Sequence, residues 1–236
     1  MLNIKRCIDF DEMSLTMIND FVAYAKKLLN KKDLINIAIA TGITTEQFIL
    51  LLKQSDIPFE KINLYIVDEY AGIAHSDQQS CTIDLLKHFG TLTKRFHSIK
   101  IFSTNNFVEE IDIYHQELIK YGLDICILGV GKDGHVGFCY PPAYINTKKF
   151  YELIELSSYR KKEHSLNGWF SSIDNVPDCV ITLSLWGILQ SSIIMVGAVY
   201  KDKEDVVMHM LKQDVSSSAC PILYFTSHKN ITLYLG

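Results

Sequence analysis

No apolar run in this 236-residue chain reaches membrane-spanning length, so no membrane helix is expected. The chain start also lacks the pattern of a secretory leader, because Lys5, Arg6, Asp9 and Asp11 break its first apolar stretch. There is no CxxC pair and no metal-ligand spacing among Cys7, Cys81, Cys126, Cys139, Cys179 and Cys220. Several of these lie in apolar runs and read as reduced core thiols, the pattern of a cytoplasmic protein. Internal repeats and low-complexity linkers are missing too, which excludes a solenoid or a string of tethered modules. Charge is short in both signs. A net charge of −4 gives no reason to expect nucleic acid or an anionic membrane as partner. An anionic ligand would have to be met by local positive groups.

What the chain does contain is an ordinary globular composition, 48% hydrophobic and 21% charged. That is enough apolar material for a full core, and the length suits one large domain over residues 1–236. Short apolar runs at Leu34 to Ala40, Ile62 to Val67, Ile99 to Phe102 and Leu123 to Leu128 read as buried strands. Cys179 to Leu183 and Ile193 to Ala198 add two more, with Ile222 to Phe225 and Ile231 to Leu235 as short closing strands. Helical spacing recurs between them, over Thr45 to Gln54, Ser80 to Phe89, Val108 to Tyr121 and Lys203 to Lys212. The alternation predicts an α/β fold: a doubly wound, mainly parallel sheet with helices on both faces. Thr147 to Asn175 is the least regular stretch and reads as a mobile cover or a small excursion from the sheet.

Ligands of such sheets bind beyond the carboxyl ends of the strands, so the residues after each strand carry the functional signal. Three segments stand out. In Ala40-Thr41-Gly42-Ile43-Thr44-Thr45 a strand runs through a glycine turn and hydroxyls into a helix start. Backbone N–H groups and the helix dipole there attract an anion, although helix capping by Thr44 or Thr45 explains the residues equally well. Asp68-Glu69-Tyr70 places two acids directly after a strand. One reads as a base and the other as a structural acceptor, against a plain solvated turn. In Gly129-Val130-Gly131-Lys132-Asp133-Gly134-His135, glycines permit tight turns and Asp133 is spaced to orient His135 as an acid–base pair. A dinucleotide fingerprint is disfavoured, since His135 stands where the third glycine belongs.

Together, "AIATGITTEQF", "LYIVDEYAGIAHSDQQSC" and "GLDICILGVGKDGHVGF" resemble the signature regions of the glucosamine/galactosamine-6-phosphate isomerase (deaminase) family. The tail "VPDCVITLSLWGILQSSIIMVGAVYKDKEDVV" fits the family's later strand–helix–strand–helix region. The 6-phosphogluconolactonases share the fold and some of these motifs. The resemblance implies a Rossmann-type doubly wound fold. It implies a phosphate cradle of Thr41, Gly42, Ile43 (through its backbone) and Thr44, completed by Lys203, with Lys201 as a competitor. It also implies that Asp68 moves a proton between C2 and C1 of the opened sugar, and that His135, oriented by Asp133, assists ring opening. Glu69, Gly131, Gly134 and Tyr140 are further candidates to line the site. No metal or organic cofactor is implied, and a homo-oligomer is left open.

The loop after His135 departs from the family pattern HIAFNEPG. Cys139 replaces the asparagine, and Tyr140 replaces the acid expected beside the histidine, a position where the lactonases carry an aromatic. Asp68-Glu69-Tyr70, by contrast, is deaminase-like. The family's phosphate-binding arginine, expected near Asn167, has no match, and Arg160 lies upstream of it. Three readings follow: an amino-sugar-6-phosphate isomerase/deaminase, a 6-phosphogluconolactonase-like hydrolase with His135 activating water, or a sugar-phosphate sensor without catalysis. The retained Asp68, Asp133 and His135 favour an enzyme.

Overall fold

The chain enters its fold through a short strand, β1 (Asn3–Arg6), and a 20-residue helix, α1 (Phe10–Leu29). The Asp9 carboxylate caps α1 by accepting the Glu12 backbone N–H at 2.9 Å, and Glu12 Oε2 accepts the Ile8 N–H at 2.6 Å. The first bond satisfies an N–H that the first turn leaves without a helical partner, and the second ties the entering chain to the helix. Met13, Met17, Phe21 and Ala25, one turn apart, form the buried stripe of the helix. The computed structural model describes residues 2–199, 205, 207, 208, 211, 212 and 216–236.

Further along lie β2 (Ile35–Ile39), α2 (Ile43–Gln54), β3 (Ile62–Ile66), β4 (Asp68–Tyr70), α3 (Cys81–Phe89) and β5 (Ser98–Lys100). Next come α4 (Phe107–Tyr121), β6 (Ile125–Gly129), β7 (Tyr151–Glu155) and α5 (Ser158–Leu166). The chain closes with β8 (Cys179–Leu183), α6 (Leu185–Leu189), β9 (Ile193–Ala198) and β10 (Ile231–Leu235). Seven strands form one sheet in the order β1-β10-β9-β6-β2-β3-β5, and every pairing in it is parallel. All of β2 is buried, as a strand covered on both faces must be.

From β2 the chain winds towards the β5 edge, and from β6 it winds back towards β1. Right-handed crossovers then put the helices of the two directions on opposite faces, and α1, α2 and α3 pack in series on one of them. The winding reverses between the neighbours β2 and β6. Their carboxyl ends diverge into a crevice, the usual ligand position in this architecture.

A second, antiparallel sheet, β4-β8-β7, corrects one expectation. Cys179–Leu183 is a strand, but it joins this smaller sheet and not the parallel one. One residue, Val67, separates β3 from β4, and its carbonyl accepts the Leu183 N–H at 2.7 Å, so the chain bends off the main sheet there. Ile222 to Phe225 is also not a strand. Pro221 opens a 3₁₀ turn, Pro221–Phe225, closed by the Leu223 N–H on the Cys220 carbonyl at 2.9 Å. The irregular stretch 147–175 contains β7 and α5. Most of the expected Lys203 to Lys212 helix lies outside the described residues. Among the described residues no helix is long and apolar enough to cross a membrane. All six cysteines are free, with Cys126, Cys139 and Cys220 buried.

Candidate active site

The crevice holds a cavity of 1090 Å³ lined by all three strand-end segments and by α5. After β2, Gly42 takes φ 109°, a backbone conformation open to glycine, and serves as the N-cap of α2 without a side-chain cap. Neither Thr44 nor Thr45 therefore caps the helix. Thr45 turns its hydroxyl back onto the Ala40 carbonyl at 2.7 Å and is buried. Thr41, Gly42, Ile43 and Thr44 line the cavity, with α2 starting at Ile43. Two glycines make room for Thr44. A Cβ on Gly129 would stand 2.9 Å from Thr44 Cβ, and one on Gly197 would stand 2.7 Å from Thr44 Cγ2. Lys203 and Lys201 lie outside the described residues.

Successive side chains on β4 face opposite ways. Asp68 lines the cavity at 8% exposure, and burial, with the neighbouring Glu69 charge, pushes its carboxyl up to about 7. Glu69, a candidate for the site, does not line it. Its carboxylate accepts the backbone N–H groups of Tyr70, Cys81 and Thr82 and the Ser80 hydroxyl, all within 2.8 to 3.0 Å. The start of α3 captures it, because unpaired N–H groups and the helix dipole gather there. Cys81, at that helix start, also lines the cavity.

The loop after β6 carries the second acid–base group. His135 Nδ1 meets Asp133 Oδ1 at 2.5 Å, which leaves Nε2 for a ligand. A Cβ on Gly131 would collide with the His135 ring, so the bare backbone of Gly131 is what admits it. Gly134, by contrast, does not line the cavity. It packs on Cys220, and its carbonyl accepts the Ile222 N–H at 3.0 Å. Gly137 (φ 54°) lets the loop lie close: a Cβ there would be 2.7 Å from Thr182 Oγ1 and 3.2 Å from Asp68 Oδ2. The other Asp133 oxygen, Oδ2, accepts Arg160 Nη2 at 2.6 Å, and Arg160 Nη1 reaches Glu163 Oε2 at 2.7 Å. Burial alone would raise the Asp133 carboxyl. The hydrogen bond and charge of His135, with the Arg160 hydrogen bond, outweigh it and hold the carboxyl well below the usual range.

Tyr140 stands between these groups. Its ring centroid is 4.8 Å from that of His135, and the Arg160 guanidinium carbon lies 4.1 Å from the same centroid. Its hydroxyl meets His164 Nε2 at 2.8 Å, and His164 Nδ1 meets the Tyr70 hydroxyl at 3.1 Å. Burial pushes His164 down to about 4, so the ring is neutral and can donate from only one nitrogen. The sequence signal for Arg160 and His164 was slight: both sit in α5, where charge made the segment look like surface. Among the described residues no group of three or more His, Cys, Asp or Glu is placed to hold a metal ion.

A switch-point cavity with a buried acid and a carboxylate-bound histidine defines an α/β enzyme of the doubly wound class. Residues 9–234 match the model of the glucosamine-6-phosphate isomerases/6-phosphogluconolactonase family, and the chain belongs to that family. It is 27% identical to a glucosamine-6-phosphate deaminase of Malacoplasma penetrans, covering 99% of this chain and 97% of that protein. A glucosamine-6-phosphate deaminase of Lactococcus lactis subsp. cremoris is 28% identical, with 98% and 93% covered. Two solved structures share the fold. A monomeric glucosamine-6-phosphate deaminase aligns at TM-score 0.77 and 24% identity, over 99% of this chain and 96% of that one. The 6-phosphogluconolactonase from Thermotoga maritima aligns at TM-score 0.78 and 18% identity over the whole of both chains.

Proposed function

We propose that the chain is an amino-sugar-6-phosphate isomerase/deaminase acting on glucosamine- or galactosamine-6-phosphate. The observation that carries this reading is Asp68, buried on the cavity wall with its carboxyl raised to about 7. A base poised near the working pH is what proton transfer between carbon atoms needs. Asp133 and His135 would open the sugar ring. Asp68 would then take the proton from C2 and return it to C1, giving a ketose imine that water cleaves with release of ammonia. The turn Thr41 to Thr44 at the start of α2 would hold the phosphate, with Lys203 as the closing cation. The same reading puts the enzyme in the cytoplasm, in keeping with six free cysteines.

Tyr140 favours one competitor, a 6-phosphogluconolactonase-like hydrolase. With a phenol beside it at the position of the family's acid, the Asp133–His135 dyad is also equipped to activate water. An assay of ammonia release from both amino-sugar phosphates, run beside lactone hydrolysis, separates the two. Ammonia release that Asp68→Asn abolishes supports the deaminase. Lactone hydrolysis that survives Asp68→Asn and is lost in His135→Ala overturns it.

A further inference from the structure

Arg160 lies upstream of the position expected for the family's phosphate-binding arginine, and its contacts point to a different task. Its side chain is 12% exposed and its guanidinium is anchored on three sides, by Asp133, Glu163 and the face of Tyr140. Asp133 is therefore shared. One oxygen holds His135 Nδ1 and the other holds Arg160. A carboxylate with one free oxygen rotates; one pinned at both oxygens does not. Arg160 also brings a permanent positive charge to within one carboxylate of the imidazole.

We propose that Arg160 is a positioning residue for His135: it pins the carboxylate that orients the imidazole and opposes protonation of the ring. This deepens the reading above, resting on His135 as the acid–base group of the site and not on which sugar binds. The groups around the ring set the balance. On its own loop stand Asp133, Lys132 and Tyr140; α5 contributes Arg160, Glu163 and His164; Asp68 and Cys81 line the cavity from β4 and α3; Cys220 backs Gly134. Asp133 favours the imidazolium directly. Arg160 shares that same carboxylate, and its charge works the other way. Of the α5 residues that line the cavity, Arg160 is the one that carries positive charge, since His164 is neutral and Lys161 turns away to Asp178. An imidazole fixed in this way keeps its free nitrogen aimed at the ligand, which suits either opening a sugar ring or activating water.

The test is the titration of the His135 ring by nitrogen-15 NMR in the ligand-free protein. It needs no substrate, so a wrong sugar assignment would leave its result intact. In Arg160→Gln the midpoint should rise by about one pH unit, the size expected when a nearby cation is removed. Arg160→Met keeps the stem that packs on Tyr140 and serves if Arg160→Gln does not fold. Arg160→Lys retains the charge and should return the midpoint most of the way. In an Asp133→Asn background, Arg160→Gln should move the midpoint by less than half as much, because the connection has been cut. A wild-type midpoint in both charge-removing variants, or an undiminished shift in the Asp133→Asn background, would overturn the proposal.

Discussion

Asp68 and Glu69 are neighbours on β4 with opposed surroundings: Asp68 borders the cavity, while Glu69, 1% exposed, is bound by three backbone N–H groups and a hydroxyl. The strand's alternation separates them, and the solvation of each carboxylate follows. Asp68 has lost water without gaining a cation, so its neutral form is favoured. Glu69 has exchanged water for four hydrogen-bond donors.

For Asp68→Asn, turnover should fall roughly 100- to 10,000-fold, the usual cost of losing a general base. Stability should move the other way. The folded Asp68 carboxyl titrates near 7, above its ordinary 3.8, so its contribution to stability is complete below pH 4 and lost as pH rises through 7. The difference is worth up to about 4 kcal/mol. Thermal melts of the Asn variant should match the wild type near pH 4, exceed it increasingly as pH rises to about 7, and keep a steady lead above that. A constant gap across that range would mean Asp68 is not held neutral by the fold.

Glu69→Ala should do the reverse and destabilise the fold. It strands buried donors at the start of α3, each costing about 1–3 kcal/mol when unpaired. A drop in denaturant midpoint equivalent to about 3 kcal/mol or more is expected. Glu69→Gln keeps some acceptors and should lose less. If Glu69→Ala melts like the wild type but loses activity, Glu69 belongs to the chemistry and not to the helix.

The sequence showed the sheet core clearly because buried parallel strands are short unbroken apolar runs, as in Ile35–Ile39 and Ile125–Gly129. It hid α1, although Asp9 and Glu12 stand at capping spacing and Met13, Met17, Phe21 and Ala25 repeat every four residues. Interspersed charges such as Lys26 and Lys27 masked the stripe. Cys179–Leu183 was readable as a strand but not as a member of the antiparallel sheet, since the residues that pair with Ile181, Glu69 on β4 and Leu153 on β7, lie 112 and 28 positions away. Loop residues of the site were visible through their glycines and acids. Arg160 and His164 were not: their roles depend on α5 folding back over the loop, a tertiary fact no local spacing encodes.

Gly197 is buried in β9 far from the motifs, yet it sets where Thr44 sits. Gly197→Ala would put a methyl group 2.7 Å from Thr44 Cγ2 and 3.3 Å from Met17 Sδ. Overpacking of this kind costs about 1–3 kcal/mol, and here the yielding element is the start of α2. Affinity for the phosphorylated sugar should fall about tenfold, equivalent to ~1.4 kcal/mol. Thr44→Ser removes the clashing Cγ2 and should recover much of the loss in the double variant. An unaltered affinity in Gly197→Ala would detach the α2 turn from phosphate binding.

Tyr140 occupies the position of the family's acid, and its surroundings say what a carboxylate would meet there. The phenol is buried and held protonated, since burial drives its titration well above the ordinary range. Its hydroxyl is engaged with His164 and its ring is flanked by His135 and Arg160. In Tyr140→Glu a negative charge would stand beside His135 and within the reach of Arg160. Two effects then act in the same direction. The new carboxylate favours the imidazolium directly, and by attracting Arg160 it loosens the cation's hold on Asp133. The limb of the pH–rate profile that reports the histidine should move to higher pH by about one unit, and ammonia release from closed-ring amino-sugar phosphates should increase. Tyr140→Phe separates chemistry from packing: it removes only the hydroxyl, leaves a buried His164 nitrogen without its partner, and should lower stability by about 1–3 kcal/mol while the pH profile stays in place. If Tyr140→Glu folds and neither its rate nor its pH profile differs from the wild type, Tyr140 supports the loop alone and the histidine does not sense charge at that position.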